Sequence, residues 1–211
     1  MKYRDLSTFQ LDVLREVGNI GAGNAVTALS QLLNRKIEMT IPSVNVVSFD
    51  EMMELIGGPE KKVVAILFRI YGDAPSNVFF VLSVEEAELL IRTMTNNPTY
   101  KLKEDIGKES IEFSALEEVG NIVTGSYISA LSDFTHLYLQ PSVPHLGIDM
   151  AAAVLTYGLI DISQASDYAI VIDSKVNSQG TSNMLKGNFF LLPNPDSLQI
   201  IFKALGLEEN E

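Results

Sequence analysis

Several residue types are scarce in this sequence of 211 residues, and each scarcity excludes a class of protein. There is no cysteine, which excludes disulfides, thiolate nucleophiles and cysteine-ligated zinc. The two histidines, His136 and His145, are too few for a multi-histidine metal site, and we expect both to be structural or solvated. Apolar runs such as Met150–Leu155 are far shorter than the roughly 20 residues of a membrane span. The N-terminal segment has no signal-peptide core, so we expect a cytoplasmic protein without membrane insertion.

Basic residues are also few. Lysine and arginine number 15 against 27 aspartates and glutamates, which gives a formal net charge of −12. Nucleic acids and anionic membranes bind basic surfaces, because cationic side chains must replace the counterions of the phosphates. The charge therefore argues against both as partners and leaves proteins as the expected ones.

One segment of the chain occurs twice. "LREVGNI" begins at Leu14 and "LEEVGNI" begins at Leu116, 102 positions later. Residues 11–33 and 113–135 are identical at 10 of 23 positions, far more than the one or two that about 5% chance identity gives. "FFVLSVEEAELLIRTM" and "FFLLPNPDSLQIIFKAL" form a second match near the ends of the two halves. The chain is therefore an internal duplication.

The patterns predict a mixed α/β (α+β) fold with pseudo-twofold symmetry. We expect a single domain over 1–211, made of two halves at about 7–95 and about 110–206 with a linker at about 95–110. Each half has the order α, β, α, β, β, α, which predicts one shared central sheet flanked by helices. Because internal duplication can substitute for a dimer, we expect a monomer. The predicted helices are one capped by Ser7 or Thr8 and its copy, Glu51–Ile56, Met150–Ile160, Val84–Met94 and Ser197–Leu205; the predicted strands are 36–49 (broken at Pro42), 63–72, 77–83, 136–143, 168–176 and 183–192.

The two long helices each carry a polar stripe. Residues at positions i, i+4 and i+7 lie on one side of a helix, so each copy places a carboxylate and a carboxamide about one turn apart. Arg15 became Glu117 between the copies, whereas the glutamate and the asparagine of each stripe stayed. We therefore take these side chains as candidate functional residues. The stripes consist of Asp12, Glu16 and Asn19 in the first half and of Ser114, Glu118 and Asn121 in the second.

Structural interpretations of the same residues stay open at this point. Asn19 and Asn121 could instead bond to each other's backbone across a symmetric interface. A polar pair on a helix can also be an ordinary solvated surface. The glycines of "GNIGAG" lack the preceding strand and the order of a dinucleotide fingerprint. They indicate either close helix packing or space for a docking partner beside the stripe.

The pattern of an acidic residue or serine, then glutamate, asparagine and proline resembles the CheC/CheX/FliY family of chemotaxis phosphatases. It covers the whole chain, and the two complete copies are most similar to the CheC-type members. CheX-type members have one active copy, FliY-type members carry added segments, and FliM-type members lack the glutamate–asparagine pair. The matching residues are Asp12, Glu16, Asn19 and Pro42, and Ser114, Glu118, Asn121 and Pro144.

The resemblance implies hydrolysis of the phosphoaspartate on the response regulator CheY, which terminates its signal and aids adaptation. Asn19 and Asn121 would hold the attacking water, as the water-orienting glutamine of GTPases does. Glu16 and Glu118 would pair with the regulator's lysine. The chain itself would bind no cofactor, and Mg²⁺ would belong to the regulator. The receptor deamidase CheD is implied as a second partner, with the acidic chain and the helix near Met150–Ile160 as candidate surfaces.

The remaining motif residues have smaller expected roles. Asp12 and Ser114 are accessory polar groups, and their different charge makes the two sites chemically unequal. Pro42 and Pro144 are expected to be structural, turning or ending a strand. Two other functions stay open: a non-catalytic module that binds CheY or CheD, and a structural part of the flagellar motor. Repeated phosphate release would separate the enzyme from a binder.

Overall fold

A computed structural model describes residues 6–103, 107–156, 167–178 and 184–207. These ranges contain six helices and eight strands. In chain order they are α1 (Thr8–Leu32), β1 (Ile37–Thr40), β2 (Val44–Ser48), α2 (Phe49–Leu55), β3 (Lys62–Gly72), β4 (Ser76–Ser83), α3 (Val84–Thr95), α4 (Ile111–Thr135), β5 (Leu139–Pro141), β6 (His145–Met150), α5 (151–156), β7 (Tyr168–Ser178), β8 (Met184–Pro193) and α6 (Pro195–Ala204).

The two long helices begin at serine caps and pack against each other. The Ser7 side chain accepts a hydrogen bond from the Gln10 N–H, and the Gln10 Oε1 accepts one from the Ser7 backbone N–H, which confirms Ser7 as the cap of α1. Ser110 caps α4 in the same way through the Phe113 N–H. At Gly21 the helix backbones touch, since a Cβ built there would lie 2.9 Å from the Cα of Tyr127. Both helices have 25 residues.

The strands form one antiparallel sheet that the two halves share. The matching strands β4 and β8 pair at its centre, where Phe79 lies opposite Phe190 and Phe80 opposite Phe189. Next to them lie β3 and β7. The outer strands are exchanged between halves: β1 and β2 pair with β7, and β5 and β6 pair with β3. The predicted central sheet with internal duplication is confirmed.

Helices cover both faces of this sheet. Along β3, Val64, Ile66 and Phe68 point into a core beneath α1, α3, α4 and α6, whereas Val63, Ala65 and Leu67 point into a second core beneath α2 and α5. Because both faces are buried, the run "VVAILF" is apolar throughout and does not alternate. No described helix is long and apolar enough to cross a membrane.

Most predicted elements lie within two residues of their predicted bounds, with three corrections. The strand expected over 136–143 is shorter, at Leu139–Pro141, and β6 was missed. Gly147 and Asp149 make β6 a weak strand former, and its pairing with β3 overrides that local preference. The helix expected from Met150 starts one residue later, because Met150 still pairs with Lys62 in the sheet. Three parts of the predicted elements lie outside the described residues: 157–160 of this helix, residue 183 of the last strand and 104–106 of the linker.

Candidate active site

The first polar stripe runs along the exposed side of α1. Leu14 and Val17 are only 1% exposed and anchor the other side of the helix in the core. Asp12 and Glu16 are exposed, and Asn19 is half-buried. The Asp12 carboxylate is 3.0 Å from the guanidinium of Arg15, one turn further along the helix. Glu16 makes no ion pair with any described residue, so its carboxylate is available to an incoming cation.

The second stripe runs along α4 and is more exposed. Leu116 and Val119 are buried in the same core, and this fixes the orientation of the helix. Ser114, Glu118 and Asn121 are all exposed. None of the three side chains has a hydrogen bond or ion pair with another described residue. Each half thus presents a carboxylate and a carboxamide three residues apart, or about 4.5 Å along the helix axis.

Asn19 is held by the strand that follows its helix. Its Oδ1 accepts a 2.9 Å hydrogen bond from the Ile41 N–H, and its Nδ2 lies 3.5 Å from the Ile41 carbonyl oxygen. Ile41 is 4% exposed and packs in the core, so the backbone that binds Asn19 is anchored by a buried side chain. The alternative in which each asparagine bonds to the other's backbone across a symmetric interface is wrong for Asn19, whose partner is Ile41 in its own half.

Asn121 has no such partner among the described residues. The position equivalent to Ile41 is Val143, which is 84% exposed instead of buried. The Asn121 carboxamide therefore keeps both its donors and its acceptor free for a ligand. The two stripes are alike in sequence but differ in the hydrogen bonding of the asparagine: Asn19 is bonded to Ile41, and Asn121 has no described partner.

The two motif prolines lie beside these contacts. Pro42 follows Ile41 directly and separates β1 from β2, and Pro144 separates β5 from β6 in the same way. A residue that precedes proline favours an extended backbone, which suits the way Ile41 presents its N–H to Asn19. The sequence shows the spacing between asparagine and proline in both halves. Sequence reasoning did not show that this spacing places the Ile41 backbone beside Asn19.

Outside the two stripes, we find few candidate functional groups among the described residues. In the described ranges, no group of three or more histidine, aspartate or glutamate residues is arranged to hold a metal ion. His136 caps the C-terminus of α4 in the left-handed conformation. His145 begins β6. Neither histidine has a counterpart in the first half.

These side chains can perform a limited set of chemical tasks. A carboxamide can accept a hydrogen bond from a water molecule through its oxygen while its N–H₂ group donates to an anion. A neighbouring carboxylate can bind a lysine or arginine through a charge-assisted hydrogen bond. An exposed helix can carry both groups into the phosphorylation site of another protein.

Comparison with known proteins finds similarity in the segments that contain these residues. The family model described as CheC-like matches residues 9–46 and 111–148, which contain both stripes and both motif prolines. The chain is also 45% identical over 197 residues to the "CheY-P phosphatase CheC" of Bacillus subtilis, covering 93% of this chain and 94% of that protein. The chain belongs to the CheC-like family. The family model matches once in each half, which is consistent with the internal duplication.

More distant relatives share the fold of this CheC-like chain. The "flagellar motor switch phosphatase FliY" of Bacillus subtilis is 31% identical over 142 residues, which are 67% of this chain and 36% of FliY. The crystal structure of Thermotoga maritima FliY superposes with a TM-score of 0.72 at 19% identity, covering 96% of this chain and 98% of that one. The predicted fold class agrees with this superposition.

Proposed function

We propose that this chain is a phosphatase that hydrolyses the phosphoaspartate of the response regulator CheY. The observation that carries this function is the glutamate–asparagine pair on each of two helices, which at Glu118 and Asn121 is exposed and has no partner among the described residues. The 45% identity to a protein named CheY-P phosphatase CheC supports the same substrate. Both halves contribute a site, with Glu16 and Asn19 as the first pair.

The reaction is a displacement at phosphorus. Asn121 or Asn19 enters the regulator's phosphorylation site and orients a water molecule in line with the phosphorus–oxygen bond of the phosphoaspartate. Water attacks the phosphorus, the bond to the aspartate oxygen breaks, and inorganic phosphate and a free carboxylate are released. Orientation alone can account for about 7–11 kcal/mol of such a barrier, so an asparagine that only positions water suffices.

The glutamates fix the docking position. Glu16 and Glu118 lie three residues before their asparagines, so a lysine bound by the carboxylate would lie beside the attacking water. Asp12 and Ser114 contribute polar contacts at the start of each stripe, and Pro42 and Pro144 shape the loop behind it. Asp12 is already paired with Arg15, whereas Ser114 is uncharged, so the two docking surfaces differ in charge.

Mg²⁺ belongs to the regulator in this mechanism. The chemotaxis protein CheX of Borrelia burgdorferi has been crystallised with CheY, BeF₃ and Mg²⁺, where BeF₃ stands in for the phosphoryl group. CheX shares the fold of this chain with a TM-score of 0.50 and 12% identity. By analogy, this chain supplies side chains to a metal-containing site that its partner brings.

Phosphate release from phosphorylated CheY in the presence of Mg²⁺ tests the proposal. Wild type should release many equivalents of phosphate per chain, and the variant with both Asn19→Ala and Asn121→Ala should fall to the regulator's own rate. Asn24→Ala is the matched control, because it makes the same change at another exposed position of α1, away from the stripe. Full activity in the double variant would remove the asparagines from the mechanism. Protection of the phosphoaspartate would instead identify a binding module.

Two further aspects of the biology are proposed with the function. The chain acts as a cytoplasmic monomer, since the internal duplication supplies within one chain the two halves that a dimer would otherwise provide. CheD, the receptor deamidase, is its second partner. Size-exclusion chromatography with light scattering tests the first, and titration of CheD into the labelled chain tests the second. A dimer in the first experiment, or no binding in the second, would contradict these assignments.

A further inference from the structure

Four glycines occupy equivalent positions in α1 and α4, and two of them are explained by packing. A Cβ on Gly18 would lie 3.3 Å from the Ile41 side chain and 3.5 Å from the Tyr127 ring. A Cβ on Gly120 would lie 2.8 Å from the Ile66 side chain. At this pair of positions, a larger side chain would push into the core.

The other pair, Gly23 and Gly125, has no such explanation. A Cβ built on either would have no described atom within 4 Å beyond its immediate surroundings in the helix. Neither has a positive φ, so the backbone does not require glycine. A glycine in the middle of a helix is also less favourable than alanine. Both long helices therefore carry an unfavourable residue at the same place, and no packing contact with the described residues accounts for it.

The position of these two glycines relative to the polar stripes is informative. Gly23 follows Asn19 by four residues, and Gly125 follows Asn121 by four, which is about 6 Å along the axis on the same side of the helix. Gly23 also lies seven residues after Glu16, nearly in line with it. Each stripe thus ends, beyond its asparagine, at a glycine whose missing side chain would face open space; Gly23 is exposed and Gly125 is half-buried.

We propose that Gly23 and Gly125 are docking positions, where a backbone segment of the phosphorylated regulator lies directly against the helix so that the neighbouring asparagine can reach the phosphoaspartate. This inference rests on the proposed function and extends it to the contact surface. A methyl group at either position would crowd this contact and weaken binding, while a regulator that does bind would still bring its phosphoaspartate to the asparagine. The glycines act through the affinity of docking and do not touch the reacting atoms.

Each half is tested separately. Gly125→Ala is made in the Asn19→Ala background, and Gly23→Ala in the Asn121→Ala background, so that one site works in each protein. We expect the KM for phosphorylated CheY to rise about tenfold, in line with the cost of overpacking an interface, while kcat at saturation changes less than about twofold. The larger side chain of Gly125→Gln should raise KM further.

Thermal stability supplies the second readout. Because alanine favours the helix more than glycine does, each variant should melt about 2–4 °C higher than its background, which also shows that it is folded. Asn24→Ala is the control that strengthens α1 without occupying the stripe, and its KM should equal that of wild type. Higher melting temperature combined with weaker docking is the result that a purely structural glycine would not give.

Failure of the inference and failure of the proposed function are distinguishable. Binding of the BeF₃-activated regulator is measured alongside turnover. An unchanged KM and unchanged binding in the glycine variants would overturn the docking role while leaving the phosphatase intact. Weaker binding of these variants, together with no turnover by wild type, would support the docking role and remove the proposed function. Absence of binding to wild type would overturn both.

Discussion

At the scale of single residues, the two asparagines predict unequal halves. Asn121 is exposed and free of described partners, whereas Asn19 must release its hydrogen bond from Ile41 before it can enter another protein. Such a bond contributes about 1 kcal/mol, which corresponds to about fivefold in rate. Asn121→Ala should therefore lower phosphate release about five times more than Asn19→Ala, as measured from initial rates. A larger loss in Asn19→Ala would mean that Ile41 orients the carboxamide for catalysis.

A second prediction concerns Tyr127, which lies between the two long helices. Its ring packs 4.9 Å from that of Phe189, and its hydroxyl is buried without a partner among the described residues. Burial raises the pKa of the Tyr127 phenol, so it stays neutral. Tyr127→Phe removes an unsatisfied hydroxyl and should leave the free energy of unfolding unchanged or raise it by up to about 1 kcal/mol. Urea denaturation measures this.

The control for this prediction is Tyr127→Ala, which also removes the ring. That variant should lose about 3–5 kcal/mol of unfolding free energy, because it leaves a cavity between α1 and α4. A loss of more than about 1 kcal/mol in Tyr127→Phe would show that the hydroxyl is hydrogen-bonded in solution.

At the scale of elements, Glu88 fastens α3 to the segment that follows it. The carboxylate lies 2.5 Å from the Arg92 guanidinium and 2.9 Å from the Lys101 ammonium, and it accepts a 3.0 Å bond from the Leu102 N–H. Burial raises the pKa of Glu88, but the Leu102 N–H and the two cations together outweigh it and hold that pKa below 4.5. Glu88→Gln should therefore lower the free energy of unfolding by about 2 kcal/mol at pH 7.

The pH dependence of this effect has a definite sign. A carboxyl whose pKa is lower in the folded chain stabilises it above the unfolded value, and this contribution is lost as the pH falls through the folded value. The difference between wild type and Glu88→Gln should thus be full at pH 7 and shrink below about pH 4.5. Glu60→Gln removes the same charge from an exposed turn and should show little effect. A difference that persists at low pH would contradict the ion-pair explanation.

The elements also show which parts of the fold a sequence can reveal. The helices α1 and α4 were predictable because their apolar residues recur at helical spacing and Ser7 stands before the first turn. The division of the first strand was predictable from Pro42. Strand β6 was missed because "HLGIDM" has little local β preference and forms through its pairing with β3. The Asn19–Ile41 bond was missed because it joins residues 22 positions apart.

At the scale of the whole molecule, the exchange of strands was beyond sequence reasoning. The duplication indicates two similar halves, but it does not say whether each half completes its own edge of the sheet. In the structure, β1 and β2 extend the second half's β7, and β5 and β6 extend the first half's β3. Pairing of this kind depends on contacts far apart in the chain, which local patterns do not encode.

The exchange predicts that neither half folds alone as a monomer, and we propose on this basis that residues 1–211 form a single domain. A chain cut after residue 103 would leave β1 and β2 without β7, and β5 and β6 without β3. Strand β4 would also lose its hydrogen-bonded neighbour β8. Unpaired edges and uncovered apolar strands are strongly unfavourable.

Circular dichroism and size-exclusion chromatography of the fragments 1–103 and 104–211 test this prediction. Each fragment alone should lack a cooperative unfolding transition or should assemble with a second copy of itself, since the equivalent strands can substitute for one another. Mixing the two should restore a single transition and phosphate release. A monomeric fragment that unfolds cooperatively would show that each half closes its own sheet, and the single-domain proposal would then be wrong.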